Sequence, residues 1–250
     1  MSRQPFFRNM TQIIFVQAPA YDNYGEVYIW RMNKYCCHGN TQFDEACRNV
    51  GASPETVLQK LTVVLGETSG AAANSKDMTA SSLIDHILDK HHAYTKAEMQ
   101  NLLPLMEKVV SRHGEHYEYL NQLKDFFQAV CDDLGPHMMK EEMVLFPYIQ
   151  KLDHSIRHQV TASFPPFVTV KHPIGMMSVE HEEVGELLTK MRAITHNYAL
   201  PDGACPSFTA LYHRLAEFER DIHQHIHLEN NILFPLAIEL ERKAFEPVGH

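Results

Sequence analysis

One pattern occurs twice in the chain. Residues 137–147 read HMMKEEMVLFP and residues 225–235 read HIHLENNILFP, so His-x3-Glu-x3-Leu-Phe-Pro recurs at a displacement of 88 positions. Each copy closes a long stretch in which apolar residues return at three- and four-residue steps, the period of an amphipathic helix. A histidine and a glutamate four apart on a helix differ by about 40° in direction and about 6 Å along the axis, so they share a face. Before the first copy the apolar stripe runs Leu123, Phe127, Val130, Leu134, then passes through His137 and Glu141 to Leu145 and Tyr148. Before the second it runs Leu211, Leu215, Phe218, Ile222, then through His225 and Glu229 to Ile232 and Leu236. Both pairs fall on the face that a helix buries.

Four helical segments follow one another from Ser81, at roughly 81–112, 116–152, 173–199 and 206–242. Pro165 and Pro166 keep helix out of the connection 153–172, and Pro201, Gly203 and Pro206 mark the last loop. No strand pattern competes. The expectation is an all-α antiparallel four-helix bundle of two similar hairpins, each carrying one copy of the repeat in its second helix. Gly135-Pro136 precedes His137, and a proline there removes a backbone donor and should kink the helix. Upstream, residues 1–65 are expected to form a small N-terminal domain containing KYCCHGN (34–40) and a helix start with Ser53 as N-cap and Pro54 behind it. Residues 66–80 (GETSGAAANSKDMTA) read as a linker, and 81–250 as the bundle.

Composition narrows the function. The 250 residues suffice for one domain and a small appendage, and 44% hydrophobic content builds a sizeable core. A net charge of −9 argues against nucleic-acid binding, and no apolar run approaches the roughly 20 residues that span a bilayer. The apolar stretch Ile13 to Val16 is too short for a signal peptide. The five cysteines (Cys36, Cys37, Cys47, Cys131 and Cys205) are odd in number, two are adjacent, and none forms a CxxC pair. Neither a disulfide framework nor a structural zinc site fits, and free thiols point to the cytoplasm. Histidine, at 17 residues, is the unusual component, and it is the commonest metal ligand.

The first and third helices each place one histidine on their own stripe. The first reads Ile84, Leu88, His92, Thr95, Met99, Leu102, Met106, and the third reads Ile174, Met177, His181, Val184, Leu188, Met191, Tyr198. His92 stands 45 residues before His137, and His181 stands 44 before His225. His91 fits less well, its phase-mates being Tyr94 and Glu98. A single histidine on an apolar face is most often a core residue. Two core carboxylates are different, since a buried carboxylate must be protonated, paired or metal-bound, and no Lys or Arg lies on the stripes. By the same phase test the pairs His213–Glu217, His223–His227 and His154–His158 read as solvated surface. Four imidazoles and two carboxylates are too many for one tetrahedral zinc. They suit two octahedral ions bridged by two glutamates with two histidines each, di-iron ahead of di-manganese. The Glu-x-x-His pair of ferritin-type bundles is absent.

With those residues in hand, the sequence resembles the Repair of Iron Centers family, the ScdA/YtfE-type hemerythrin-like proteins. The resemblance rests on KYCCHGN (34–40), LIDHILDKHH (83–92), HMMKEEMVLFP (137–147), SVEHEEVGELL (178–188) and HIHLENNILFP (225–235). His38 follows the cysteine pair where that family commonly has glycine. The resemblance implies an ScdA-type N-terminal domain and an oxo- and carboxylate-bridged di-iron centre on His92, His137, Glu141, His181, His225 and Glu229. It further implies repair of iron–sulfur clusters damaged by nitric oxide or oxidants through supply of iron. The partners are then damaged iron–sulfur proteins and small diatomics, with a homodimer allowed. Cys36 and Cys37 become candidates for redox or iron transfer. Two readings stand beside this one: a module that binds or senses oxygen or nitric oxide, and a di-iron nitric oxide reductase.

Overall fold

A computed structural model describes residues 79–245 apart from 163 and 166, together with Cys47, Arg48, Ser53, Pro54 and Thr56. The chain divides into two units, Met1–Met78 and Thr79–His250. In the first, Pro54 and Thr56 are helical and the Thr56 N–H faces Ser53 Oγ at 3.5 Å, as an N-cap serine requires. The expected Cys36–Cys37 motif, most of the N-terminal domain and nearly all of the linker lie outside the described residues.

The regular structure of the second unit is all helical among its described residues. Helix α1 (Ala80–His86) widens into a π-helical turn, Ile87–His92, and continues as α2 (Ala93–His113). Helix α3 (Tyr119–Lys140) passes through a second π-helical turn, Glu141–Leu145, into α4 (Phe146–His158). Helix α5 (Lys171–Ile194) is followed by α6 (Pro206–Leu228), a third π-helical turn, Glu229–Leu233, and α7 (Phe234–Phe245). These make four long rods, as the periodicity predicts. Helix α2 packs on α3 and α6, α3 on α5, and α4 on α7, which closes the antiparallel bundle. Thr79 caps the first rod, accepting the Ser82 N–H at 3.1 Å, and Pro206 opens α6 behind Cys205.

Two boundaries differ from expectation. The second rod runs on to His158, because nothing before Pro165 forbids helix, and it stops where Gln159 turns left-handed at φ 54°. The third ends at Ile194, short of the expected 199. There Thr195 Oγ1 turns back to the Met191 carbonyl at 2.8 Å and accepts the Tyr198 N–H at 3.1 Å, competing with the helical pattern. His196, Asn197 and Tyr198 then follow with φ of 52°, 62° and 59°. Helix α3 runs through Gly135-Pro136 without a break; the widening comes later, at Glu141.

Apolar side chains flank the centre of the bundle along its axis. Leu123, Phe127, Val130 and Leu134 precede His137, and Leu145, Phe146 and Ile149 follow it, all fully buried. The fourth rod repeats the arrangement with Leu215, Phe218 and Ile222 before His225 and Leu233, Phe234 and Ala237 after Glu229. Phe127 and Phe218 meet edge to face at 5.5 Å between ring centroids, an aromatic contact worth about 0.5–1.5 kcal/mol beyond its buried area. The polar residues between these layers are therefore shut away from water.

Candidate metal centre

The three π-helical turns coincide with the repeat's chemistry. His92 is the last residue of the first, and Glu141 and Glu229 open the second and third. In the two repeats a proline follows the widened turn. Pro147 and Pro235 have no N–H, and a proline ring inside an α-helix collides with the carbonyl four residues back. The chain widens one turn earlier. The Phe146 N–H bonds to the Glu141 carbonyl and the Phe234 N–H to that of Glu229, each five residues back.

All six side chains singled out on the stripes meet at one point in the core. The Nε2 atoms of His92 and His225 lie 3.1 Å apart, and those of His181 and His137 lie 2.9 Å apart. Glu141 Oε2 is 3.4 Å from Nε2 of both His92 and His137. Glu229 faces His225 with Oε1 at 2.9 Å and His181 with Oε2 at 3.2 Å. The donors fall into two tetrads, His92–Glu141–His225–Glu229 and His137–Glu141–His181–Glu229, each with its ligand atoms within 4.8 Å of one another. Both glutamates belong to both tetrads.

The chemistry of this set asks for cations. Glu141 and Glu229 are fully buried, and no Lys or Arg among the described residues pairs with either. Burial and the charge of Glu229 raise the Glu141 carboxyl above its ordinary value, over the pull of His137 and His92. Burial acts on Glu229 in the same sense, but His225, His181 and His92 outweigh it and hold that carboxyl low. Burial likewise opposes a proton on His92, yet the two glutamates raise it to about 10; on His181 burial acts in the same sense and is outweighed by Glu229, which raises that imidazole above its ordinary value. Burial keeps His225 below the usual imidazole value. Protons on imidazole thus offset carboxylate charge in the protein alone, the task that metal ions perform in a centre of this composition. The donor set fits metal binding: either tetrad could hold a cation, and Glu141 and Glu229 are common to the two.

A further layer holds the imidazoles. His92 donates from Nδ1 to Glu142 at 2.7 Å, and His137 from Nδ1 to Glu180 at 2.8 Å. Lys96 pairs with Glu142 and Lys140 with Glu180. His181 donates from Nδ1 to Asn230 at 3.0 Å. An Nδ1–H so engaged fixes the tautomer and turns the Nε2 lone pair inward. Sequence reasoning misses Glu142, Glu180 and Asn230. A signal was there, since each is a neighbour in sequence of a stripe residue, and Glu142 and Asn230 match across the repeat.

The other histidines divide. His213 is exposed with Glu217 at 3.6 Å, and His154 and His158 are exposed with their rings 4.3 Å apart, as read from the helix phase. The reading of His223 and His227 as solvated surface is corrected. His227 is buried and faces Asn231 at 3.0 Å, and His223 is half-buried beside Glu219. A stripe rule assumes one covered face, whereas every residue from His225 to Glu229 is buried. Burial moves His227 down to about 4, so its imidazole is neutral. His91 is buried too, with Nδ1 2.9 Å from Asp221.

The fold and the clustered donors define a helical metal-binding bundle, and known proteins agree. Residues 83–237 match the hemerythrin HHE cation binding domain family. The chain is 34% identical over 200 residues to the iron-sulfur cluster repair protein ScdA of Staphylococcus haemolyticus, covering 80% of this chain and 86% of that protein. It is 32% identical over 207 residues to the iron-sulfur cluster repair protein YtfE of Yersinia pestis, covering 83% and 87%. ScdA of Staphylococcus epidermidis is 30% identical over 201 residues, covering 80% and 86%. The chain belongs to the ScdA/YtfE-type branch of the hemerythrin-like proteins.

Proposed function

We propose that this protein holds two iron ions on His92, His137, Glu141, His181, His225 and Glu229 and supplies iron to damaged iron–sulfur clusters. The observation that carries the reading is the pair of four-donor groups sharing both glutamates. Two carboxylates common to two ions suit an oxo-bridged di-iron centre, and a set of N and O donors without thiolate disfavours cluster ligation at this site. The relatives named as iron–sulfur cluster repair proteins support the same role.

When bound, such a centre would offer iron held by ligands that protons displace. The chain's own residues do the rest. Glu142, Glu180 and Asn230 orient three imidazoles through Nδ1. The apolar layers on either side, Phe127 and Phe218 on one and Phe146 and Phe234 on the other, exclude water and strengthen every charge interaction within. Cys131 and Cys205 are unbridged thiols, consistent with a reducing compartment such as the cytoplasm. Damaged iron–sulfur proteins are the partners in this reading, and nitric oxide is among the agents of damage.

The test is transfer of labelled iron. Full-length protein loaded with iron-57 is mixed with apo-ferredoxin, sulfide and reductant. The label is expected in the rebuilt cluster, with none delivered by Glu229→Leu. Absence of transfer, together with reversible oxygen or nitric oxide binding or with catalytic nitric oxide consumption, would favour a sensing module or a reductase instead.

A further inference from the structure

The two halves of the bundle support their imidazoles unequally. A displacement of 88 or 89 positions carries His92 to His181, Glu142 to Asn230, and His137 to His225. The hydrogen bond of His92 to Glu142 thus has its counterpart in that of His181 to Asn230. The bond of His137 to Glu180 has none. The position matching Glu180 in the first rod is His91, which lies parallel to His225 with centroids 5.8 Å apart and planes 9° apart. His91 turns its own Nδ1 to Asp221. Nδ1 of His225 is buried and meets no hydrogen-bond acceptor among the described residues. One group of donors therefore has both imidazoles anchored, by Glu180 and Asn230. The other has one, by Glu142.

Building on the iron-donor reading above, we infer that the two metal positions are unequal, and that the position formed by His92 and His225 releases its iron first. An Nδ1–H bonded to a carboxylate or amide oxygen makes Nε2 a stronger donor and locks the ring toward the ion; removing such a support costs about 10–100-fold in metal affinity. His225 lacks that support, and His91 stacked on it supplies no acceptor. Release would break the bonds from that ion to His92, to His225 and to its share of Glu141 and Glu229; the ferrous ion passes to the chelator or client, the two Nε2 atoms are left free to take protons, and no electron moves in this step. Glu141 and Glu229 keep their hold on the remaining ion beside His137 and His181. The asymmetry makes the centre a donor of one iron, with the second retained.

The test is iron release from the full-length protein loaded anaerobically with ferrous iron, followed optically with an excess of a ferrous chelator. The wild type is expected to lose one iron per chain in a fast phase and one in a slow phase, with rates about tenfold or more apart. His91→Gln places an amide oxygen where the other half has Glu180, and slows the fast phase about tenfold. Asn230→Ala removes the support of His181 and quickens the slow phase, keeping the test decisive should His91→Gln fail to fold. Two irons leaving in one wild-type phase, or a His91→Gln effect confined to the slow phase, overturns the inference and leaves the iron-donor reading standing. A wild-type chain that takes up no iron overturns that reading itself.

Discussion

The Phe146 N–H bonds to the Glu141 carbonyl five residues back, and Pro147 comes next in the chain. The same relation joins Phe234 to Glu229 before Pro235. A residue without an N–H thus follows each widened turn that opens at a shared carboxylate. Replacing Pro147 with Ala lets the turn return to α geometry and swings Glu141 relative to Leu145. Iron is expected to leave such a variant about tenfold faster, as when a ligand's support is displaced. Calorimetry should show the fold intact. An unchanged release rate would mean that the π-helical turn does not depend on the proline.

Glu141→Leu and Glu229→Leu remove a shared carboxylate from both groups of donors. Each variant should lose iron and the absorption of an oxo-bridged centre. The iron-free bundle should be equally stable or up to about 1–4 kcal/mol more stable, since an apolar side chain replaces a buried charge. Glu217 has the same spacing to His213 but is half-buried, off the donor-lined face and paired with the exposed His213, so Glu217→Leu should keep iron and spectrum unchanged. Metal analysis of the three variants decides; loss of iron from Glu217→Leu alone would contradict the assignment of inward faces.

Glu219 supplies the pH dependence outside the centre. It is fully buried and paired with Arg192. Burial opposes its charge, but His223 and Arg192 outweigh burial and hold the carboxyl below the ordinary range. A carboxyl with a depressed folded-state pKa stabilises the fold above its unfolded value, near 4.3, and the contribution fades as pH falls through the folded value. Glu219→Gln should cost about 3–5 kcal/mol at pH 6 and markedly less at pH 3. Denaturant unfolding of iron-free protein at the two pH values checks it, and an equal gap at both would contradict the pairing.

Cys131 should be inert. Burial and the neighbouring Asp132 push its thiol up to about 12, so thiolate is scarce at pH 8. Peptide mapping after iodoacetamide treatment of the native protein at pH 8 should find Cys131 unmodified, and modified once the chain is unfolded. Rapid labelling in the native state would show that the second rod opens at that position.

The sequence made the bundle and its inward donors legible for one reason. A buried His and Glu on an apolar stripe is a costly arrangement that a 3.6-residue period exposes directly, as at His137 and Glu141. What decides the support of those donors is not periodic. Glu142 and Glu180 lie off the stripes and act across a helix–helix seam, so only the packing of the first rod on the second and the second on the third reveals them. A stripe rule puts His227 on the surface, whereas its helix is covered on more than one side. Tyr198 was placed on a helical stripe, whereas Thr195 ends the helix through its own side chain before reaching it. The N-cap at Ser53 was legible from local chemistry alone, because capping is settled within four residues.

The most direct test of the account is metal content with Mössbauer and EPR spectroscopy on full-length protein produced in iron-57 medium. Two donor groups sharing Glu141 and Glu229 predict two irons per chain, magnetically coupled and EPR-silent when both are ferric. One iron per chain, a pair of uncoupled ferric ions, or zinc in place of iron would contradict it.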